Sequence, residues 1–406
     1  MTDPLLQLKG VTIRRGTETV LSDFNLIVSS GECVILNGEN GSGKSTVIEA
    51  SARLLPMEKG EILHHGKLVY DFEGRKKKPS FPFGLTLQSN CLVPSQTIHQ
   101  HLETVCKISQ SNFDFLPLLE IYGLSHRKHD KIAHLSGGQQ RKVSVISGLI
   151  PAMVTKDPRL IILDEPDSGL DDKSIDVLIN HIDQLRDAGN AILMATHDNR
   201  LFKCATKLNN LKEEIVQKPA KSKPWQNHGK SSPNNFISIK MGWQYNFSTL
   251  ANIQRNWLAA LLLIGGLLSL VEPLSISAHK VLLVGFTLAP ALTIGLVGDS
   301  VISMLFEQRA IDWWRSQVQV IPNSSIETFL SGCILTLFSM QIFLETIEWS
   351  LVLIGGFIAL LTTMFVSFLQ LSTIRLARSN AVYIRLLTPI LILPWALIVD
   401  YGATLV

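Results

Sequence analysis

The pattern of hydrophobic positions changes once along this 406-residue chain, near residue 240. Before that point, short apolar runs without polar alternation recur, the clearest of them at 34–36, 160–163 and 191–194. Such runs are typical of strands that are buried on both faces of a parallel sheet. Helical stretches lie between them, for example from Ser174 to Arg186. This alternation predicts an α/β domain over residues 1–211.

Long apolar stretches dominate the second half of the chain. Five of them approach the length of about 20 residues that a membrane-spanning helix needs, at 257–275, 281–306, 326–344, 349–373 and 381–399. Residues 237–256 mix aromatic and polar side chains and predict an interfacial helix that leads into the bilayer. We therefore expect an all-α transmembrane domain with about five spans over residues 237–406.

The stretch between the two halves, residues 212–236, is rich in lysine, proline and serine. It cannot bury enough apolar surface to order itself, which predicts a flexible basic linker. Its lysines are either solvated or in contact with anionic lipid headgroups. The first domain is predicted to be cytoplasmic, in a multi-pass protein of the cell (inner) membrane. The predicted loops on the same side then carry Arg309, Arg315, Arg375 and Arg378, a bias that follows the positive-inside rule.

Charge and cysteine content exclude some classes of protein. The net charge of +3 is too small to favour binding of nucleic acid. The five cysteines form no CxxC pair and no metal-site spacing, so we expect free thiols in a reducing compartment.

A glycine-rich stretch follows the predicted strand at 34–36 and opens a predicted helix: Gly38-Glu39-Asn40-Gly41-Ser42-Gly43-Lys44-Ser45-Thr46. This is the P-loop pattern, in which glycines let backbone N–H groups wrap around phosphates. The pattern predicts that Lys44 reaches the β- and γ-phosphates of ATP and that Ser45 ligates Mg²⁺.

Two acidic residues, Asp164 and Glu165, end the apolar run at 160–163. Carboxylates at the C-terminal end of a central strand point into the crevice where ligands bind. Asp164 suits a second Mg²⁺ ligand, and Glu165 suits the base that orients the attacking water. Alone, such a pair could be a solvated turn; beside a P-loop it predicts an ATPase.

The segment Leu135-Ser136-Gly137-Gly138-Gln139 narrows this P-loop protein to one family. Here the chain resembles the ATP-binding cassette family, whose signature is LSGGQ, and the resemblance extends over about residues 5–210. It places Gln88 at the Q-loop position, with a catalytic and Mg²⁺-binding role, Asp171 in the D-loop beside ATP, and His197 at the catalytic H-loop position. It also implies a head-to-tail dimer, in which ATP lies between one P-loop and the 136–139 segment of a second copy or a second cassette subunit.

One position departs from the family pattern. The family often has an aromatic near residue 15 that stacks on adenine, and this chain has Arg14-Arg15-Gly16 there. An arginine can stack on a base through its planar guanidinium. Arg15 is therefore the candidate adenine contact.

A second, weaker resemblance rests on this arginine and on the arginine- and leucine-rich stretch from Arg375 to Tyr401, which contains Pro389 and Pro394. The chain is similar to a fusion of the CcmA-type ATP-binding and CcmB-type membrane subunits of the cytochrome c biogenesis haem exporter. That resemblance implies export of haem or a haem-linked factor, with other cytochrome c maturation subunits as partners. Export of a lipid, drug or glycan, and a membrane-remodelling ATPase that transports nothing, stay open as alternatives. In each case residues 307–325 are the predicted coupling segment.

Overall fold

A computed structural model describes residues 4–211, 213–232, 247–271, 280–306, 309–317, 323–344, 346–373 and 392–405. The chain divides into two compact units. The first unit comprises Met1–Lys240 and Leu305–Ile321, and the second comprises Met241–Met304 and Pro322–Val406. The first contains the predicted α/β domain and the second is helical, which confirms the predicted fold class.

The first unit contains twelve described strands: β1 (Pro4–Arg15), β2 (Glu18–Ser29), β3 (Cys33–Leu36), β4 (Lys59–His64), β5 (Lys67–Asp71), β6 (Gly84–Thr86), β7 (Ser111–Asn112), β8 (Leu160–Asp164), β9 (Ala191–Ala195), β10 (Lys207–Asn209), β11 (Glu214–Val216) and β12 (Lys230–Ser231). Its first five helices are α1 (Lys44–Ser51), α2 (Ile98–Ile108), α3 (Leu116–Ile121), α4 (Gly137–Met153) and α5 (Asp172–Asp187).

The central sheet has six strands in the order β11-β10-β3-β9-β8-β6. Its strands run parallel, except that β11 pairs antiparallel with β10. Every residue of β3, β8 and β9 is buried, as expected of strands covered on both faces. Because the strands are parallel, the C-terminal ends of β3, β6, β8 and β9 lie along one edge. A separate antiparallel sheet has the order β2-β1-β4-β5.

The segment predicted as a flexible linker lies, in its described part, along the surface of the first unit. The Trp225 indole N–H donates to the Met153 carbonyl at 3.0 Å, and the Trp225 backbone N–H donates to the Gln184 carbonyl at 3.1 Å. Strand β12 then pairs with β7. The strap formed by residues 213–232 is thus held by specific contacts, while residues 233–236 of the predicted linker lie outside the described residues.

Seven further helices are described after residue 240: α6 (Phe247–Val271), α7 (Lys280–Leu296), α8 (Ser300–Phe306), α9 (Ala310–Gln317), α10 (Ser325–Phe343), α11 (Trp349–Thr373) and α12 (Ile392–Ala403). Two stretches, Ser325–Phe343 and Trp349–Leu369, are long and apolar enough to cross a membrane, and Trp257–Leu270 and Lys280–Leu296 are shorter apolar helices. The predicted interfacial helix lies partly outside the described residues, and its last ten residues are continuous with the first predicted span in α6. The start of the predicted fifth span also lies outside them.

The predicted span at 281–306 is divided by a break between α7 and α8. The Asp299 carboxylate, which is 2% exposed, accepts from the N–H groups of Val301 and Ile302 at 2.9 Å, as a helix N-cap does. Its other oxygen accepts from the Ser324 N–H at 2.8 Å. Gly298 supplies the positive φ of +80° that the turn requires. The stretch is therefore two helices joined at a buried, fully hydrogen-bonded aspartate.

Helices α10 and α11 approach each other through small residues. A Cβ atom at Gly332 would lie 2.7 Å from the Ala359 Cβ and 2.8 Å from the Gly355 carbonyl oxygen. A Cβ at Gly355 would collide with the Thr336 side chain. Glycine at these positions lets two helix backbones pack closely, as in membrane helix pairs.

Candidate nucleotide-binding site

The loop between β3 and α1 has the backbone conformation of an anion-binding loop. Gly38, Gly41 and Gly43 have φ angles of +151°, +83° and +105°, and Gly43 caps the N-terminus of α1. The Lys44 ammonium folds back over the loop and donates to the carbonyls of Gly38 at 2.6 Å and Glu39 at 2.8 Å. The glycine-rich loop thus leads directly into a helix N-terminus and carries a lysine over it, and these are the features of a phosphate-binding loop.

The neighbouring strand ends bring the predicted acidic residues to this loop. The Ser45 hydroxyl donates to Asp164 Oδ1 at 3.3 Å. Glu165 adopts the left-handed region, with a φ of +48°, and its N–H donates to the Ala195 carbonyl at the end of β9 at 2.7 Å. His197, two residues further along, lies 3.9 Å from Glu165, measured from Nε2 to Oε1. One short stretch of the sheet edge therefore holds Ser45, Asp164, Glu165 and His197.

The electrostatics of Asp164 fit a magnesium ligand. The pKa of this carboxyl is raised to about 6: burial is the main cause, the nearby Glu165 and Glu49 carboxylates add to it, and the Ser45 hydrogen bond opposes it. Excess negative charge at a buried carboxylate is what a divalent cation would neutralise. The paired hydroxyl and carboxylate oxygens of Ser45 and Asp164 are the hard ligands that Mg²⁺ prefers. Among the described residues, no three His, Cys, Asp or Glu side chains are grouped so that they could hold a metal ion by themselves, so phosphate and water oxygens would complete the coordination here.

Gln88 lies two residues beyond the end of β6, which pairs directly with β8, and its side chain is exposed. The backbone beside it is held by Arg141, a residue of α4 to which the sequence pattern assigned no role. The Arg141 guanidinium donates to the carbonyls of Leu87 at 2.6 Å, Asp164 at 2.5 Å and Glu165 at 2.6 Å. It directly follows the signature glutamines in the sequence, but only the folded chain shows its partners.

The 136–139 segment forms the N-terminus of α4. Ser136 and Gln139 make a reciprocal capping box: the serine hydroxyl accepts from the Gln139 N–H at 3.3 Å, and the Gln139 side chain accepts from the Ser136 N–H at 3.0 Å. Ser136 and Gly137 are exposed, and the space beside the Gly137 Cα is open. A Cβ at Gly138 would lie 2.6 Å from the Gly169 carbonyl oxygen, so this glycine permits close packing of the D-loop.

Asp171 caps helix α5 by accepting from the Ser174 N–H at 2.8 Å, and it pairs with the Lys142 ammonium of α4 at 2.6 Å. Hydrogen bonding to Lys142 lowers the pKa of this carboxyl to about 2. In this chain alone, Asp171 therefore joins α4 to α5, and any contact with nucleotide belongs to the proposed dimer.

Arg15, the candidate adenine contact, lies beside helix α1. Its guanidinium donates to Glu49 Oε2 at 2.8 Å, and its own side chain is half exposed. Gly16 follows in a left-handed turn, with a φ of +64°. Glu49 is a second residue that the sequence pattern did not single out.

The predicted coupling segment packs on the first unit through α9. Arg53, which is 3% exposed, donates to the carbonyls of Ser316 at 2.6 Å and Arg315 at 3.2 Å. The Gln317 side-chain amide donates to the Phe83 carbonyl at 2.8 Å, and Phe83 directly precedes β6. Burial lowers the pKa of Arg53 to about 10. The segment is thus attached to the strand that leads to Gln88.

This arrangement of strand, glycine-rich loop and helix defines a P-loop nucleoside triphosphatase. The sequence profile described as ABC transporter matches residues 21–168. HrtA of Staphylococcus saprophyticus, an ATP-binding protein named for hemin import, is 31% identical over 204 residues, which cover 48% of this chain and 90% of HrtA. The chain belongs to the ABC transporter family, and its cassette is an ATP-binding, ATP-hydrolysing transporter domain.

Two further similarities differ in how much of the chain they cover. The macrolide export ATP-binding/permease protein MacB of Hyphomonas neptunium is 28% identical over 295 residues, which cover 68% of this chain and 45% of MacB. A solved dimeric bacterial ABC transporter cassette matches with a TM-score of 0.44 and 23% identity, covering 52% of this chain and 98% of that one. The MacB alignment is longer than the cassette.

Proposed function

We propose that this chain is an ABC half-transporter of the cell (inner) membrane, with a cytoplasmic cassette at 1–211 and a multi-pass domain at 237–406. The P-loop residues from Gly38 to Thr46 hold the phosphates of ATP. Ser45, Asp164 and Gln88 hold Mg²⁺, Glu165 orients the attacking water, and His197 contacts the γ-phosphate. A bound Mg²⁺ would neutralise charge on the phosphates.

The observation that carries this proposal is the convergence of four strand ends on one site. Ser45 lies 3.3 Å from Asp164, and His197 lies 3.9 Å from Glu165. The backbone at Glu165 is left-handed, and its N–H is bonded to the end of β9. Such strained positions concentrate at functional sites.

A dimer completes the site in this proposal. Ser136 and Gly137 begin a helix, and both are exposed. The N-terminus of a helix attracts a phosphate, so the 136–139 segment suits the γ-phosphate of an ATP bound to another cassette. The second cassette is a second copy of this chain or a separate ABC subunit.

Haem, or a haem-linked factor for cytochrome c maturation, is the proposed cargo. The resemblance to the cytochrome c biogenesis exporter and the similarity of the cassette to a protein named for hemin import support it. Residue 279 is the only histidine after residue 240 in the sequence, so the proposed binding surface is apolar rather than a set of axial ligands. A cavity of about 460 Å³ among helices α7, α11 and α12, lined by residues that include Leu292, Phe357 and Trp395, is a candidate.

Export of another cargo is the second candidate, and one observation favours it. The alignment with MacB extends over more residues than the cassette contains, and MacB is named for macrolide export. The two candidates share every prediction about ATP and differ only in the ligand that increases ATP turnover.

The ATPase site is tested with Lys44→Ala and Glu165→Gln in the full chain in lipid nanodiscs. We expect Lys44→Ala to lose ATP binding, and Glu165→Gln to bind ATP but lose at least about 100-fold in turnover, a typical loss for a general base. Exposed Lys131, exchanged for alanine, serves as the control. Normal turnover in Glu165→Gln would remove this residue from the proposed site.

The cargo is tested with the same nanodiscs and with cells. Haem transport predicts that hemin increases ATP turnover in wild type but not in Glu165→Gln, and that a deletion strain lacks holocytochrome c. Stimulation by macrolides without any response to hemin would favour the second candidate. ATP turnover that no cargo changes, together with normal holocytochrome c, would favour a membrane-remodelling ATPase.

A further inference from the structure

One carboxylate in the first unit contacts both the candidate adenine residue and the segment that joins two membrane helices. Glu49 Oε2 accepts from the Arg15 guanidinium at 2.8 Å. Glu49 Oε1 accepts from the Arg309 guanidinium, also at 2.8 Å. We infer that Glu49 is a positioning residue through which nucleotide binding at Arg15 and docking of residues 309–317 strengthen each other. The inference rests on the proposed nucleotide site.

The position of Glu49 on helix α1 supports this role. Glu49 stands four residues after Ser45, so both side chains lie on the same face of one helix, above the P-loop. The Glu49 side chain is 11% exposed, whereas those of Arg15 and Arg309 are 52% and 45% exposed. The carboxylate is therefore the buried member of the network, and the two arginines are its more exposed members.

The two ion pairs use different oxygens of the same group. Arg309 on Oε1 orients the plane of the buried carboxylate, so that Oε2 faces Arg15. Arg309 is fixed in turn by Asp312, whose Oδ2 accepts from its Nε at 2.7 Å. When the segment is docked, Arg15 is thus held beside α1 instead of sampling solvent, which lowers the entropy that it loses on contacting a nucleotide base.

Thermodynamic linkage makes this effect reciprocal. If docking of Arg309 increases the affinity for ATP, then ATP increases the affinity of the 309–317 segment for the cassette by the same factor. The docked state does not depend on Glu49 alone, because Arg53 holds the carbonyl of Ser316 and Gln317 bonds Phe83. Loss of the Glu49 contacts therefore changes the coupling without removing the segment from its site.

The test is the affinity for ATP, measured by calorimetry in the full chain in nanodiscs. We expect Arg309→Ala and the isosteric Glu49→Gln each to weaken ATP binding about fivefold, the lower end of typical coupling energies. The KM for ATP should rise by the same factor, while kcat stays within about twofold of wild type. Arg315→Ala is the matched control, because it removes the same charge from the same 309–317 segment and its guanidinium pairs with Asp312 rather than with Glu49.

A double variant separates positioning from general loss of structure. In the Glu49→Gln background, the further change Arg309→Ala should have no effect on ATP affinity, since its partner is already lost. Hydrogen exchange supplies the reciprocal measurement: ATP should slow exchange of the 309–317 amides in wild type, and less so in Glu49→Gln. Additive losses in the double variant, or equal losses in Arg309→Ala and Arg315→Ala, would overturn the inference.

The control that separates this inference from the proposed function is Lys44→Ala. If Lys44→Ala binds ATP as wild type does, the proposed nucleotide site itself is wrong. If Lys44→Ala loses binding while Glu49→Gln and Arg309→Ala leave ATP affinity unchanged, the site stands and only the role of Glu49 is refuted.

Discussion

Arg141 offers the sharpest test of how the cassette positions its acidic residues. The side chain is 4% exposed, and its guanidinium donates to three backbone carbonyls, those of Leu87, Asp164 and Glu165, at distances from 2.5 to 2.6 Å. It therefore joins the strand before Gln88 to the strand that carries the acids. The conservative exchange Arg141→Lys keeps the charge but replaces a planar fork of donors by a single ammonium.

The magnitude follows from the number of lost bonds. An ammonium placed at the end of this side chain can bond one of the three carbonyls, so two charge-assisted hydrogen bonds are lost. Each contributes about 1.5 kcal/mol at the lower end, which makes the loss in unfolding free energy about 3 kcal/mol. For a domain of this size, each kcal/mol lowers Tm by about 2–4 °C, so we expect a decrease of about 6–12 °C. Freed carbonyls would also let Asp164 and Glu165 shift, and such shifts can cost about 100-fold in rate.

The assay is thermal unfolding and ATP turnover of the full chain in nanodiscs. Arg75→Lys is the control, since the Arg75 side chain is 66% exposed and pairs with Asp71 on the antiparallel sheet. That exchange should change the unfolding free energy by less than about 0.5 kcal/mol. If Arg141→Lys lowered Tm by no more than this control and retained full turnover, the three hydrogen bonds would not hold the acidic strand end.

Three other predictions follow from single features. The pKa of Asp164 is raised to about 6 in the folded state, so this carboxyl makes the nucleotide-free protein lose stability as pH rises from 3.8 to about 6. Asp164→Asn should reduce this fall of the unfolding free energy with pH, measured by urea unfolding. Gly355→Val should reduce the monodisperse fraction in size-exclusion chromatography, because its Cβ collides with another helix, whereas Gly266→Val, in open space, should not. Trp225→Ala removes a hydrogen bond and a ring contact with His181, and it should speed trypsin cleavage of the strap. Unchanged cleavage would contradict the docking of the strap on the cassette.

Motifs whose members are close in sequence were predictable, because local backbone geometry dictates them. The P-loop glycines and the acids at the end of β8 needed only a strand, a turn and a helix. Arg141 and Glu49 were not predictable, because their partners are distant along the chain: Arg141 reaches back 54 residues to Leu87, and Glu49 contacts Arg309, from the segment between α8 and α10. An arginine after the signature and a glutamate on a helix carry no separate sequence signal.

Hydropathy predicted helices in the second half but not their breaks. Residues 281–306 read as one apolar run, since a single aspartate changes the average little. The structure instead buries Asp299 with several N–H donors, and the chain turns there. The strap gave a similar result: its composition is that of a disordered linker, yet Trp225 and the pairing of β12 with β7 hold it to the cassette. Composition measures the mean burial of a segment and cannot detect one well-placed anchor.

The charges at the sheet edge predict that the nucleotide-free cassette is less stable than its complex with ATP and Mg²⁺. The Asp164 carboxylate lies close to that of Glu165, whereas the Arg141 guanidinium donates its hydrogen bonds to backbone carbonyls. Lys44 in turn bonds the P-loop carbonyls. The cationic side chains thus shape the backbone and leave the carboxylates under-neutralised. A ligand that brings its own cation corrects this imbalance, and at 100 times its Kd it stabilises the folded state by about 2.7 kcal/mol. ATP alone, which adds only negative charge, should stabilise the cassette much less than ATP with Mg²⁺, and equal Tm increases from the two would show that the carboxylates do not face the bound nucleotide.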